Sequence, residues 1–280
     1  MIYSLDDEPI LDRPVMVSAL AGWVDAAAVG TSAIAHLADD AKPVATFDPD
    51  RLFDYRSQRP ILDIIDGVMT RAVWPEVVVR HAVVGGRDLL LLMGLEPDLA
   101  WNSFASAVGD IAQRFGVTQL VTLGSVPGAV PHTLPPPIMT TASDPELLHD
   151  ERRPPEGLLR VPAACVSMVD MHVSQRGIPT VGFFVQVPHY VTTPYPSGVL
   201  ALLQRLARHL ELDMPLGSFE EEARVHREQL DEIVAGQPEA QEHVRRLETM
   251  SAEQQMVSGE ELASEIERYL RDAGGDERDR

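Results

Sequence analysis

Lysine is almost missing from this chain of 280 residues: Lys42 stands alone against 22 arginines. With the high alanine content, the shortage reads as the coding bias of a GC-rich genome. It also removes a phosphate loop, because Gly-x-x-x-x-Gly-Lys-Ser/Thr needs a lysine in a context that Lys42 lacks. Cysteine is equally scarce. Cys165 is the single one, in the mostly apolar stretch Val161 to Val169. No intramolecular disulfide can form, nothing points to an oxidising compartment, and the expected role of Cys165 is a small buried hydrophobe. Positive charge is in deficit, with 43 acidic against 23 basic residues and a net charge of −20. That balance argues against duplex nucleic acid and anionic membrane surfaces as partners. No run of about 18 apolar residues is present, so no membrane span is expected. The start, Met1-Ile2-Tyr3-Ser4-Leu5-Asp6-Asp7-Glu8, has neither a basic n-region nor an apolar h-region. It does not read as a signal peptide, and a soluble cytoplasmic protein is the expectation.

The familiar catalytic signatures are missing as well. There is no Gly-x-Gly-x-x-Gly, no His-Glu-x-x-His and no Cys-x-x-Cys, and the nine histidines do not cluster at ligand spacing. No metal and no cofactor is therefore expected. Ser125, in Leu123-Gly124-Ser125-Val126-Pro127-Gly128, lacks the Gly-x-Ser-x-Gly frame of a nucleophile elbow.

What is present is an α/β pattern. The apolar fraction of 45% suffices for a sizeable core in one large domain or two smaller ones. Strands are predicted at Pro14–Leu20, Val44–Phe47, Ile61–Ile65, Val77–Val84, Leu89–Met93, Gln119–Leu123 and Thr180–Val187, each short and rich in Val, Ile or Leu. Helices are predicted at Ala26–Leu37, Ala100–Phe115, Ala163–Ser174 and Ser197–Leu210. Gly85-Gly86-Arg87-Asp88 is a hairpin signal. Strands alternating with helices imply a sheet covered on both faces, and the hairpin makes that sheet mixed. The expected fold is a three-layer α/β domain with a C-terminal helical extension.

The break comes at Met214-Pro215-Leu216-Gly217. Residues 215–280 hold 18 acidic residues and 8 arginines, a net of −10, so half of the charge excess sits in the last quarter. Apolar residues there recur at helical spacing: Val225, Leu230, Ile233 and Val234, then Val244, Leu247 and Met250, then Leu262, Ile266 and Leu270. Two or three amphipathic helices with acidic outer faces follow, broken at Gln237-Pro238 and Ser258-Gly259 and frayed after Ala273. The division is a domain of residues 1–214 and an acidic extension of residues 215–280.

Function is sought where predicted parallel strands end, since α/β folds place ligands there. Gly22-Trp23-Val24-Asp25 follows the first strand. Gly22 suits a turn with positive φ, and Asp25 suits an N-cap. Glu96 follows Leu89–Met93. Ser125 and Pro127 follow Gln119–Leu123 and lead to His132, while His189 and Tyr190 follow Thr180–Val187. Both histidines come after prolines, whose fixed φ aims the next residue. Gly22, Trp23, Asp25, Glu96, Ser125, Pro127, His132, His189 and Tyr190 are thus the candidates for lining one crevice. Well-made structural turns account for the same residues. The stretch Ser125–Asp150 is the longest without clear periodicity, and it is read as a proline-stiffened loop.

The ordered set Gly22-Trp23-Val24-Asp25-Ala26, Gly94-Leu95-Glu96-Pro97, Leu123-Gly124-Ser125-Val126-Pro127 with Pro131-His132-Thr133, and Val187-Pro188-His189-Tyr190 resembles the proteasome assembly chaperone two family in its bacterial form, across residues 10–212. The resemblance implies an architecture related to purine nucleoside phosphorylases. It also implies self-association, as a trimer or a similar small ring. Eukaryotic members of that family guide proteasome α-subunits into a ring, which makes proteasome subunits candidate partners. Some relatives dock through a hydrophobic–Tyr–x tail, whereas this sequence ends Asp279-Arg280, so that route is not expected. The function implied is non-enzymatic protein binding or assembly by a homo-oligomer. The alternative is a small-molecule binder or a phosphorylase- or hydrolase-like enzyme using the crevice.

Overall fold

Eight strands form one mixed sheet in the computed structural model, which describes residues 2–148, 158–192 and 194–253. In chain order they are β1 (Tyr3–Leu5), β2 (Val15–Ala21), β3 (Lys42–Phe47), β6 (Val77–Val84), β7 (Arg87–Leu95), β8 (Gln119–Gly128), β9 (Ile138–Ala142) and β10 (Thr180–Pro188). Across the sheet the order is β1-β3-β6-β7-β2-β8-β10-β9. The four central strands, β7, β2, β8 and β10, are mutually parallel, and the flanks are antiparallel. Parallel strands are buried on both faces, which is why Leu89, Leu90, Leu91 and Leu92 of β7 are all fully buried. Burying each such side chain contributes about 1.5–3 kcal/mol. Gly85 and Gly86 join β6 to β7 with φ of 56° and 79°, the two left-handed residues that a two-residue hairpin requires.

Helices cover both faces. α2 (Pro49–Leu52), α3 (Trp101–Arg114) and α4 (Cys165–Ser174) pack over Met16 and Leu20 of β2. α1 (Val29–Leu37) and α5 (Pro196–Leu210) pack over Val15, Val17 and Ala19, the alternate side chains of the same strand. Cys165 is fully buried, and burial pushes its thiol up to about 12, so it stays protonated. α6 (Phe219–Ala235) lies on α5, and a seventh helix, α7, spans residues 238–253. Among the described residues after 214 there is no strand. None of the helices described is long and apolar enough to cross a membrane. The apolar stripe around Leu262, Ile266 and Leu270, the break at Ser258-Gly259 and the frayed tail lie outside the described residues.

Several expectations are corrected. The predicted strand at Ile61–Ile65 exists as β4 but leaves the sheet. It pairs only with β5 (Val68–Val73), in a separate two-stranded ribbon. Ser125–Asp150 is not simply a loop: β8 runs on to Gly128, and β9 adds an antiparallel edge strand to β10. Its prolines hide those strands from a reading of periodicity. The helix expected from Ala26 begins at Val29, after a short 3-10 turn in which Ala27 and Ala28 are left-handed with φ of 54°. On α6 the buried face is Phe219, Ala223, His226 and Leu230, while Val225 and Ile233 of the expected stripe are exposed.

Candidate functional site

Because β7, β2, β8 and β10 run parallel, their carboxyl ends share one edge of the sheet. At the centre of that edge Glu96, following β7, clasps the turn after β2. Its Oε2 accepts the Trp23 N–H at 2.9 Å, its Oε1 accepts the Cys165 N–H at 2.6 Å, and its own N–H donates to Ala21 O at 2.9 Å. One carboxylate thus ties β2, β7 and the start of α4 together. Gly22 is required by this clasp and not by a positive φ, which it does not have. A Cβ there would lie 2.3 Å from Glu96 Oε2. Trp23 is left 64% exposed.

Asp25 bridges to Ser125 of β8 through the backbone. Its carboxylate does not cap the 3-10 turn it precedes. It reaches past that turn to α1, accepting Thr31 N–H at 3.1 Å and Thr31 Oγ1–H at 2.5 Å. The capping role expected for Asp25 is real but displaced, because the two left-handed alanines swing the helix start forward. Burial raises the Asp25 carboxyl above its ordinary value, against the lowering effect of the Thr31 bonds. Ser125 is fully buried and its hydroxyl donates to Ala26 O at 2.8 Å. That bond commits the hydroxyl to holding the turn.

His132, His189 and Tyr190 gather on the α5 side of the same edge. The His132 N–H donates to the Tyr190 hydroxyl at 2.9 Å. That hydroxyl also hydrogen-bonds His132 Nδ1 at 2.7 Å, and Nε2–H donates to Asp231 of α6 at 3.2 Å. The His132 side chain is 1% exposed. Burial pushes the Tyr190 hydroxyl up. His189 donates from Nδ1 to Gly128 O at 3.3 Å, and its Nε2 hydrogen-bonds His243 Nε2 of α7 at 3.2 Å. Thr133 donates to Glu248 of α7 at 2.5 Å. Two buried atoms in this region, Tyr195 Oη and His226 Nδ1, have no hydrogen-bond partner among the described residues.

On the opposite, α4 side lies a groove of about 690 Å³ that the sequence reading missed. Trp23, Pro127, Met139, Val161 and Phe184 are among its walls, and Asp170 of α4 lines it. The Phe184 ring lies against Gly124 and Gly182, where a Cβ would approach it to 2.6 Å in each case. Asp170 Oδ1 accepts from Thr122 Oγ1 at 2.6 Å, and Thr122 Oγ1 meets Ser18 Oγ at 2.8 Å. Burial pushes the Asp170 carboxyl up to about 7. A signal was available: Ser18 and Thr122 are polar residues within apolar strand segments, and Asp170 is the one acidic residue of α4.

The nine candidates therefore share an edge and divide between its two sides. Gly22, Trp23 and Glu96 form the clasp, Asp25 and Ser125 form the turn lock, and Pro127 joins Trp23 at the groove. His132, His189 and Tyr190 are engaged with the C-terminal helices. No group of three or more His, Cys, Asp or Glu among the described residues is placed to hold a metal ion.

A family model described as the PAC2 family matches residues 19–234. Among solved structures, a protein of unknown function from Mycobacterium tuberculosis is 37% identical, with a TM-score of 0.83, over 89% of this chain and 90% of that one. A PAC2 family protein from Streptomyces avermitilis is 34% identical, with a TM-score of 0.75, over 82% of this chain and 99% of that one. A proteasome-assembly chaperone homologue from Mycobacterium tuberculosis is 30% identical, with a TM-score of 0.77, again over 82% and 99%. No curated protein matches the chain.

Proposed function

The chain belongs to the PAC2 family, and from that premise we propose that it is a self-associating, non-enzymatic scaffold that binds and assembles other proteins. The observation that carries this reading is the β4–β5 ribbon. It stands apart from the sheet with Ile64 59%, Ile65 62% and Met69 72% exposed. A lone two-stranded ribbon is marginal in water, and a contiguous exposed apolar surface marks a protein contact. A second copy of the chain is the occupant proposed, with a closed trimer as the assembly, because closure satisfies every copy of the ribbon. The engaged state of Ser125 and His132, and the protonated thiol of Cys165, favour a scaffold over a catalyst. Proteasome α-subunits are the proposed clients, in keeping with the chaperone homologue among the similar structures. The division into an α/β domain of residues 1–214 and an acidic helical extension, and a cytoplasmic setting, belong to the same reading.

Light scattering at micromolar concentration tests it. The expected mass is three times the 30.7 kDa of one chain. Ile64→Asp with Met69→Asp should give the monomer mass with an unchanged melting temperature. A monomer mass for the unsubstituted protein overturns self-association. Purified proteasome α-subunits that fail to co-elute with the oligomer overturn the client.

A further inference from the structure

We propose that the groove between α4 and the β8–β10–β9 part of the sheet is a binding site for a small apolar ligand carrying one ammonium group, with Asp170 as its anchor. The volume, about 690 Å³, is that of a pocket for a drug-sized molecule. The walls are mostly apolar, and among the described residues no arginine or lysine lines them. Among those residues an anionic ligand finds no counter-charge.

The carboxyl group supplies the polar chemistry. Its single hydrogen-bond partner among the described residues is the Thr122 hydroxyl at 2.6 Å. A carboxylate accepts about four hydrogen bonds. One donor leaves most of that capacity unused, and holding an undersatisfied carboxylate half-buried in a mostly apolar wall is costly. An ammonium group relieves the cost twice, by charge and by its three N–H donors. Ser167 stands one helical turn before Asp170 and also lines the groove, so its hydroxyl can take a second N–H. The Phe184 ring, packed over Gly124 and Gly182, offers an aromatic face to the apolar body of the ligand. The elevated carboxyl of Asp170 fits a site whose counter-charge arrives with the ligand. None of this depends on what the protein assembles with.

The test is calorimetric titration with three probes of similar shape: 4-phenylbutylamine, 4-phenylbutanol and 4-phenylbutyrate. The expected order of affinity is amine, then alcohol, then carboxylate, with the amine ahead of the alcohol by about tenfold or more, as a charge-assisted hydrogen bond gives. Asp170→Asn keeps the shape and removes one charge from a net of −20. It should abolish the preference for the amine while leaving the alcohol within about threefold. A general attraction of cations to an acidic protein would survive that substitution. Val161→Arg, at a side chain 67% exposed, is a second variant that does not touch Asp170. It should invert the order and place the carboxylate first. No binding of the amine at millimolar concentration, equal affinity for all three probes, or an amine preference untouched by both variants overturns the proposal.

Discussion

The two sides of the carboxyl edge are built from the same strands and by opposite means. On the α5 side, His132, His189 and Thr133 join Asp231, His243 and Glu248 of α6 and α7, and Tyr190 holds His132. On the α4 side, an apolar groove holds one carboxyl with one partner. The first arrangement reads as an attachment, in which polar pairs fix how the C-terminal helices sit. The second is the groove proposed to take a small ammonium ligand. A carboxyl with one partner at the wall of an open groove distinguishes the second side, since buried polar groups are costly until paired.

The largest expected effect comes from breaking the attachment. His132→Ala removes one of the two partners of the Tyr190 hydroxyl and the partner of Asp231, and leaves a hole where the ring was 1% exposed. A loss of about 2–4 kcal/mol is expected in urea unfolding. Limited proteolysis should cut first within residues 215–253. A loss under about 1 kcal/mol would mean that the cluster does not hold the helices.

Asp170→Asn should act in the opposite direction. The folded carboxyl titrates at about 7 and the unfolded one at 3.8. Between those values the folded state keeps a proton that the unfolded chain has released, so this group's contribution falls as pH rises from 4 to 7. The variant should be more stable than the unsubstituted protein by about 1–2 kcal/mol at pH 8 and equal to it at pH 4. Equal stability at both pH values would show that the carboxyl is well solvated and that the two sides do not differ as described.

Between the two sides sits the turn lock. Asp25→Ala removes both acceptors of Thr31 and should cost about 1 kcal/mol. Asp25→Asn keeps one acceptor, and about half that cost is expected. Chemical denaturation checks both, and a larger loss for Asn than for Ala would contradict the lock. The smallest effect belongs to Trp23→Ala. Its side chain is 64% exposed, so stability should change by less than about 0.5 kcal/mol. The same variant should weaken 4-phenylbutylamine binding in the groove. Unchanged binding would place Trp23 outside the site.

The sequence by itself determined the strands and helices of the core and the edge at which the candidates meet. Runs such as Val15–Ala21 and Leu89–Leu92 are apolar enough that only a doubly covered sheet can bury them. Gly85-Gly86 forces a hairpin, because both residues need positive φ. The single cysteine, in its apolar stretch, could only be buried. Local sequence could not give the side of the sheet on which each loop residue lands, since that depends on register and on which helix covers which face. Gly22 looked like a turn residue and proved to be a space for Glu96, a partner 74 positions along the chain. Asp25 looked like a cap for its own turn and caps the next helix. Ser18, Thr122 and Asp170 carry no motif, because their meaning arises only when β2, β8 and α4 stack them in one line. Periodicity is a local quantity set by the pleat and the helical turn. A buried polar contact joins residues far apart in sequence, and only the packed tertiary structure decides it.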